Sequence, residues 1–217
     1  GTFANQAALA LQRAGLVRQL QHQIEQLEAA QVELAKKERL EREMELAREL
    51  QQMMLPRTFP HIPGYGFTAR NQTARQVGGD FYDVIALDDG RFVVVIADVS
   101  DKGMPAALYM ALTRSLLQAE ARQSASPEQA LRRVNRLLLD LGDRRTFVTL
   151  FYGLVDAASR RLIYVRAGHN RPVLLRQGML VELGGQGMPL GMVGARPLHF
   201  QIRHDVKPKN VLALLPH

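Results

Sequence analysis

Phe92-Val93-Val94-Val95-Ile96-Ala97-Asp98-Val99-Ser100-Asp101-Lys102-Gly103 runs from an apolar, β-branched stretch into an acid, and from the acid into a turn. The apolar part is too short and too branched for a helix, and apolar enough for burial on both faces of a sheet. An acid at such a strand end has apolar walls behind it and open space ahead, an arrangement suited to clamping a cation with its bound waters. Downstream, residues 105–119 are rich in Ala, Leu and Met and read as a helix. Ser126-Pro127-Glu128 starts another, with an N-cap serine, proline at the first position and glutamate in the first turn, running to about Leu141 before Gly142. Strand signals follow at 147–155, 162–166, 172–175 and 179–183, separated by Gly or polar turns. Strands, then two helices, then strands predict an α+β fold with helices packed on sheets.

Upstream of the deciding strand lies a second acidic patch, Val77-Gly78-Gly79-Asp80-Phe81-Tyr82-Asp83. If it stays extended, Asp80 and Asp83 point to opposite faces, being three apart in a period of two. Only one of them then joins a site directly. Each acid alone reads equally as a turn-former or a surface charge, but beside the strand ending at Asp98 they make a metal-site candidate. Ser100 is the rival as a covalent nucleophile; no histidine is near it in sequence, and it reads as a turn residue. His169, in Ala167-Gly168-His169-Asn170, fits a general acid or a ligand, and fits better a hydrogen-bonding structural residue after a strand.

Composition changes sharply near Pro56. From Leu16 to Met54 there is no Gly or Pro, and Glu, Gln, Lys and Arg dominate. Leu20, Ile24, Leu27 and Leu34 recur at a spacing of three and four or seven, on one helical seam. The seam resumes at Leu40, Met44, Ala47 and Met54; six residues from Leu34 to Leu40 where a heptad needs seven is a slip of register around Lys36 and Lys37. A helix with such a stripe lies on its own domain or pairs with a second copy, and a parallel coiled-coil dimer is the expectation. The 217 residues allow one ordinary domain with an appendage, and the lack of an initiator Met points to a piece of a longer protein.

Zero cysteines exclude disulfides, thiol catalysis and cysteine-ligated zinc. Any metal site is then built from carboxylates, histidines and carbonyls, which favours hard cations such as magnesium or manganese. The net charge of +7 raises the question of nucleic acid, but the arginines are dispersed, without aromatic interleaving or a recognisable binding module. No apolar run is long enough to span a bilayer and the N-terminus lacks a secretory pattern. The expectation is a cytoplasmic protein that binds neither nucleic acid nor membrane.

Residues 47–56 (ARELQQMMLP), 77–83 (VGGDFYD), 97–107 (ADVSDKGMPAA), 146–152 (TFVTLFY) and 167–170 (AGHN) stand in order at suitable separations. Together they resemble the SpoIIE- and RsbU-like branch of the PPM metal-dependent protein serine/threonine phosphatases, over roughly residues 47–215. The resemblance implies an αββα sandwich of two antiparallel sheets flanked by helices, with two manganese or magnesium ions at one end. It implies that Asp80 and Asp98 are metal ligands, with the backbone carbonyl of Val99 as a further ligand. It also implies that metal-activated water, not a side chain, attacks a phosphoserine or phosphothreonine, and that the substrate is a phosphorylated STAS-type anti-sigma-factor antagonist.

The chain also departs from that pattern. Residues 210–215 resemble the buried strand that leads into the family's Thr-Asp-Gly turn, whose acid is another ligand, yet Pro216 and His217 stand where Thr and Asp belong. With a further C-terminal ligand also missing, the cage for two ions is incomplete. Asp101 stands where the family more often has Gly. The expectation is a truncated chain; the alternative is a catalytically silent domain that binds the partner. The first residues resemble the last helix of a GAF sensor domain. The expected organisation is therefore a GAF-like helix end at 1–15, a coiled-coil linker at 16–55, and a C-terminally incomplete phosphatase domain at 56–217.

Overall fold

The computed structural model of the chain describes residues 2–71, 77–142, 145–192, 202–205 and 211–214. Two compact units divide at residues 46 and 47. The described residues of the first belong to α1 (Thr2–Met54), which continues unbroken past residue 15 and whose last residues belong to the second unit. Ion pairs one turn apart, Lys37–Glu41, Arg39–Glu43 and Glu38–Arg42, line its surface. All six side chains are well exposed, so solvent screens these pairs and they add little. The apolar seam is uncovered too: Leu20, Ile24, Leu27 and Leu34 are each more than half exposed.

In the second unit, β1 (Phe81–Ala86), β2 (Arg91–Val99), β3 (Val148–Asp156), β4 (Arg161–Ala167) and β7 (Ile202–Asp205) form an antiparallel five-stranded sheet in the order β1-β2-β3-β4-β7. A second antiparallel sheet has the order β6-β5-β8, from β5 (Val173–Arg176), β6 (Met179–Glu182) and β8 (Val211–Ala213). Two helices, α2 (Met104–Gln123) and α3 (Pro127–Leu141), pack on the larger sheet. Alternation along β2 explains the layering. Val93, Val95 and Ala97 face the helices, in one core with Met110, Leu117, Leu131 and Leu138. Phe92, Val94 and Ile96 face the other way, in a second core with Phe151, Tyr164, Leu174 and Leu183 between the sheets. Two antiparallel sheets with helices packed on them is the expected architecture, and the deciding strand is covered on both faces as its sequence requires. Among the described residues the helical layer lies over the larger sheet.

The helix starts follow local chemistry. The Ser126 hydroxyl accepts the Gln129 N–H at 3.2 Å, and the Gln129 side chain accepts the Ala125 N–H at 2.9 Å, a reciprocal cap with Pro127 supplying the preset φ of the first turn. Differences from the expected strands are local. Among the described residues β8 lies at the edge of its sheet, with Val211 55% exposed rather than buried, because it pairs there with β5 alone and sends Leu212 towards the inter-sheet core. Asn210, Leu215, Pro216 and His217 lie outside the described residues.

Candidate metal centre

Asp98 sits one residue before the end of β2. The β1–β2 register pairs Phe81 with Ala97, so the next step outward sets Asp80 across from Asp98 and Gly79 across from Val99. The close approach at Gly79 agrees: a Cβ placed there would lie 2.7 Å from the Val99 Cβ and 2.9 Å from the Val99 carbonyl oxygen. Only glycine lets the two backbones meet so closely. Residues directly across a ladder share a face, and by alternation Asp98 falls on the face of Val94 and Ile96, at the end of the layer between the sheets. On the other side β3 places Thr149 opposite Asp98. The Thr149 hydroxyl is 3.0 Å from Nδ1 of His169, whose ring is 2% exposed. Gly168, at φ 71°, turns the chain out of β4 just before that histidine.

The backbone that carries Asp80 is held from several sides. Gln51, in the last turn of α1, is 6% exposed. Its side-chain carbonyl accepts the Gly78 N–H at 3.1 Å, while its amide donates to the Gly78 carbonyl. The Asn71 amide donates to the Asp80 carbonyl at 2.9 Å. Around His169, Arg166 Nε donates to the Gly185 carbonyl at 2.9 Å and a terminal nitrogen donates to the His169 carbonyl. Burial, and after it the nearby Arg171, make that guanidinium less basic than usual.

Asp83 does not join this site. It faces the helices and is bound by groups of α2, so of the two acids in the first patch Asp80 alone has the inter-sheet face, as a period of two demands. Ser100 is a turn residue: its N–H donates to the Phe147 carbonyl at 2.9 Å and its hydroxyl accepts the Phe147 N–H at 3.0 Å, extending the β2–β3 ladder by one residue. Asp101 is exposed, with Oδ1 accepting the Lys102 N–H. Thr149 was silent in the sequence because a register cannot be read there; its one signal is a hydroxyl inside the apolar run FVTLFY.

These donors suit a hard cation. Two facing carboxylates and one carbonyl are oxygen ligands that leave positions for water, and two like charges across a ladder repel unless a cation lies between them. Among the described residues no group of three or more His, Asp or Glu side chains is gathered tightly enough to hold a metal by itself. Asp80, Asp98 and the Val99 carbonyl are candidate ligands of the oxygen type that a hard cation takes.

The family model for stage II sporulation protein E (SpoIIE) matches residues 88–215. The protein IcfG of a Synechocystis strain is 33% identical over 70% of this chain and 28% of its own length. The phosphoserine phosphatase RsbU of Bacillus subtilis is 29% identical over 69% of this chain and 45% of its own. The chain thus spans less than half of either relative. The SiaA-PP2C domain of Pseudomonas aeruginosa superposes with a TM-score of 0.65 over 82% of this chain and 72% of that domain, at 20% identity, which establishes the fold.

Proposed function

Since the chain belongs to the SpoIIE family, we propose that it is the catalytic part of a metal-dependent protein serine/threonine phosphatase, acting in the cytoplasm on a phosphorylated anti-sigma-factor antagonist of the STAS type. The observation that carries this reading is the close approach of Gly79 to the Val99 backbone just beyond the Phe81–Ala97 pair, which puts the neighbouring Asp80 and Asp98 at the same end of the inter-sheet layer. Support comes from relatives such as RsbU and RsbP of Bacillus subtilis, whose names are those of phosphoserine phosphatases.

In this reading Asp80, Asp98 and the Val99 carbonyl would hold manganese or magnesium, in a site of two ions. A bound divalent cation lowers the pKa of coordinated water and neutralises charge on the transferring phosphoryl group. The residues of this chain hold the ligands apart and aligned. Gly79 sets the distance between the two strands, and Gln51 and Asn71 fix the backbone on either side of it. Thr149 and His169 close the row across β3. No side-chain nucleophile is required, since the Ser100 hydroxyl is already engaged with Phe147. The test is phosphate release from a phosphoserine peptide, by a form carrying the acids that the family places after residue 215. Release is expected with manganese or magnesium and none in excess chelator; full activity in chelator rejects the mechanism.

Residues 16–55, which are α1 up to Met54 and then Leu55, are read as a linker that pairs with a second copy, behind a GAF-like sensor that ends at residues 1–15. The exposed seam supports this, because each leucine or isoleucine it buries is worth about 1.5–3 kcal/mol. Through Gln51 the same helix touches the loop before Asp80, which gives an upstream signal a route to the metal acids. Light scattering of the full chain, 24.3 kDa, is expected to give twice that mass, and a form beginning near Pro56 its own monomer mass. Monomeric masses for both reject the pairing.

A further inference from the structure

β1 presents three side chains in a row to the helical layer, Phe81, Asp83 and Ile85, and the middle one is charged. Asp83 is 4% exposed. One of its oxygens accepts the Val84 N–H at 2.9 Å. The other receives Gln118 Nε2 at 2.8 Å and Arg114 Nη2 at 2.9 Å. Arg114 and Gln118 lie one turn apart on the same face of α2. An apolar residue at position 83 would fill the same space, and buried ion pairs are often matched or bettered in stability by well-packed apolar groups. What a carboxylate with fixed donors supplies instead is a register: sliding α2 along β1 by a single residue moves its groups by about 1.5 Å and breaks both contacts together.

The position of this lock ties it to the candidate metal centre. Asp83 is three residues after Asp80, which immediately precedes β1, and α2 is joined to Val99 on the next strand through residues 100–103 alone. We infer that Asp83, with Arg114 and Gln118, is a positioning group that fixes α2 on β1 and thereby sets Asp80 against Asp98 and the Val99 carbonyl. The inference rests on the metal-site reading for its functional consequence, and on the packing alone for the lock itself.

The decisive variant is Asp83→Leu with Arg114→Met, in the same phosphatase form as above. Its thermal midpoint without metal is expected to stay within a few degrees of the parent, while the manganese concentration for half-maximal phosphate release rises at least tenfold. Hydrogen exchange at residues 104–108 is expected to quicken severalfold. Arg114→Lys keeps the charge but loses the planar fork; it is expected to shift half-saturation in the same direction by a smaller factor, and it serves if the double variant does not fold. An unchanged manganese response, with exchange at 104–108 also unchanged, overturns the inference and leaves the pair as packing. If the parent itself releases no phosphate with any metal, the phosphatase reading fails; the exchange measurement then decides the lock, with quickened exchange supporting it and unchanged exchange rejecting it.

Discussion

Asp98→Asn is expected to lower metal-dependent hydrolysis of a phosphoserine peptide by several orders of magnitude while raising the thermal midpoint of the metal-free protein by a degree or two. The two effects have one cause. Continuing the β1–β2 register one residue beyond the Phe81–Ala97 pair sets Asp98 across from Asp80, and two facing carboxylates repel by about 0.2–1 kcal/mol where nothing lies between them. Asparagine keeps the size and removes the repulsion, so the empty site relaxes, by roughly 2–4 °C of midpoint per kcal/mol for a protein of this size. Asparagine also removes the charge that holds a divalent cation, and with it the means of lowering the pKa of water at neutral pH. A purely structural Asp98 predicts a midpoint that falls and a rate that follows the folded fraction. Rate assays at saturating manganese, together with thermal unfolding in chelator, separate the two.

Gly79→Ala is the second substitution with a large expected effect. The new methyl would lie 2.7 Å from the Val99 Cβ, 2.9 Å from the Val99 carbonyl oxygen and 3.1 Å from the Val99 nitrogen. Two of these atoms are backbone in a strand paired on both sides, so β1 and β2 must part at their ends. Parting moves the Val99 carbonyl and Asp80 away from each other, and a displacement near 1 Å at a reacting centre costs on the order of 10²-fold in rate. Overpacking adds a stability loss of about 1–3 kcal/mol. The expected result is a folded protein with a midpoint several degrees lower, a rate about 10²-fold lower, and a manganese half-saturation shifted upward. Unchanged rate and half-saturation would mean that the contact between Gly79 and Val99 does not set the site.

Both substitutions fall in blocks that the sequence displayed openly, and the reason is physical. An apolar run ending in an acid must put that acid at the edge of a buried layer, so Asp98 and the two-sided burial of β2 were legible from residues 92–103. The Ser126 cap and Gly142 marked α3 because caps are local chemistry. Asp80 and Asp83 were separable by the period of two before any register was known.

What the sequence could not disclose depends on pairing between distant segments. Thr149 becomes a neighbour of Asp98 only through the β2–β3 register. Gln51 reads as one more polar residue of a polar helix until Gly78 is brought to it, 27 residues on. Asp83 looks like a surface charge until Arg114 and Gln118 close over it. β7 left no signal, since Ile202-Arg203-His204-Asp205 has one apolar residue and no alternation, and its place in the sheet comes from pairing with β4.

Calorimetric titration of manganese into the parent protein, Asp80→Asn and Asp98→Asn, at one pH and ionic strength, reads the site without a substrate. A saturable heat is expected for the parent, and its loss, or at least a tenfold weakening, in each variant. Parent-like binding in both variants would place the metal elsewhere and contradict the assignment of Asp80 and Asp98 as its ligands.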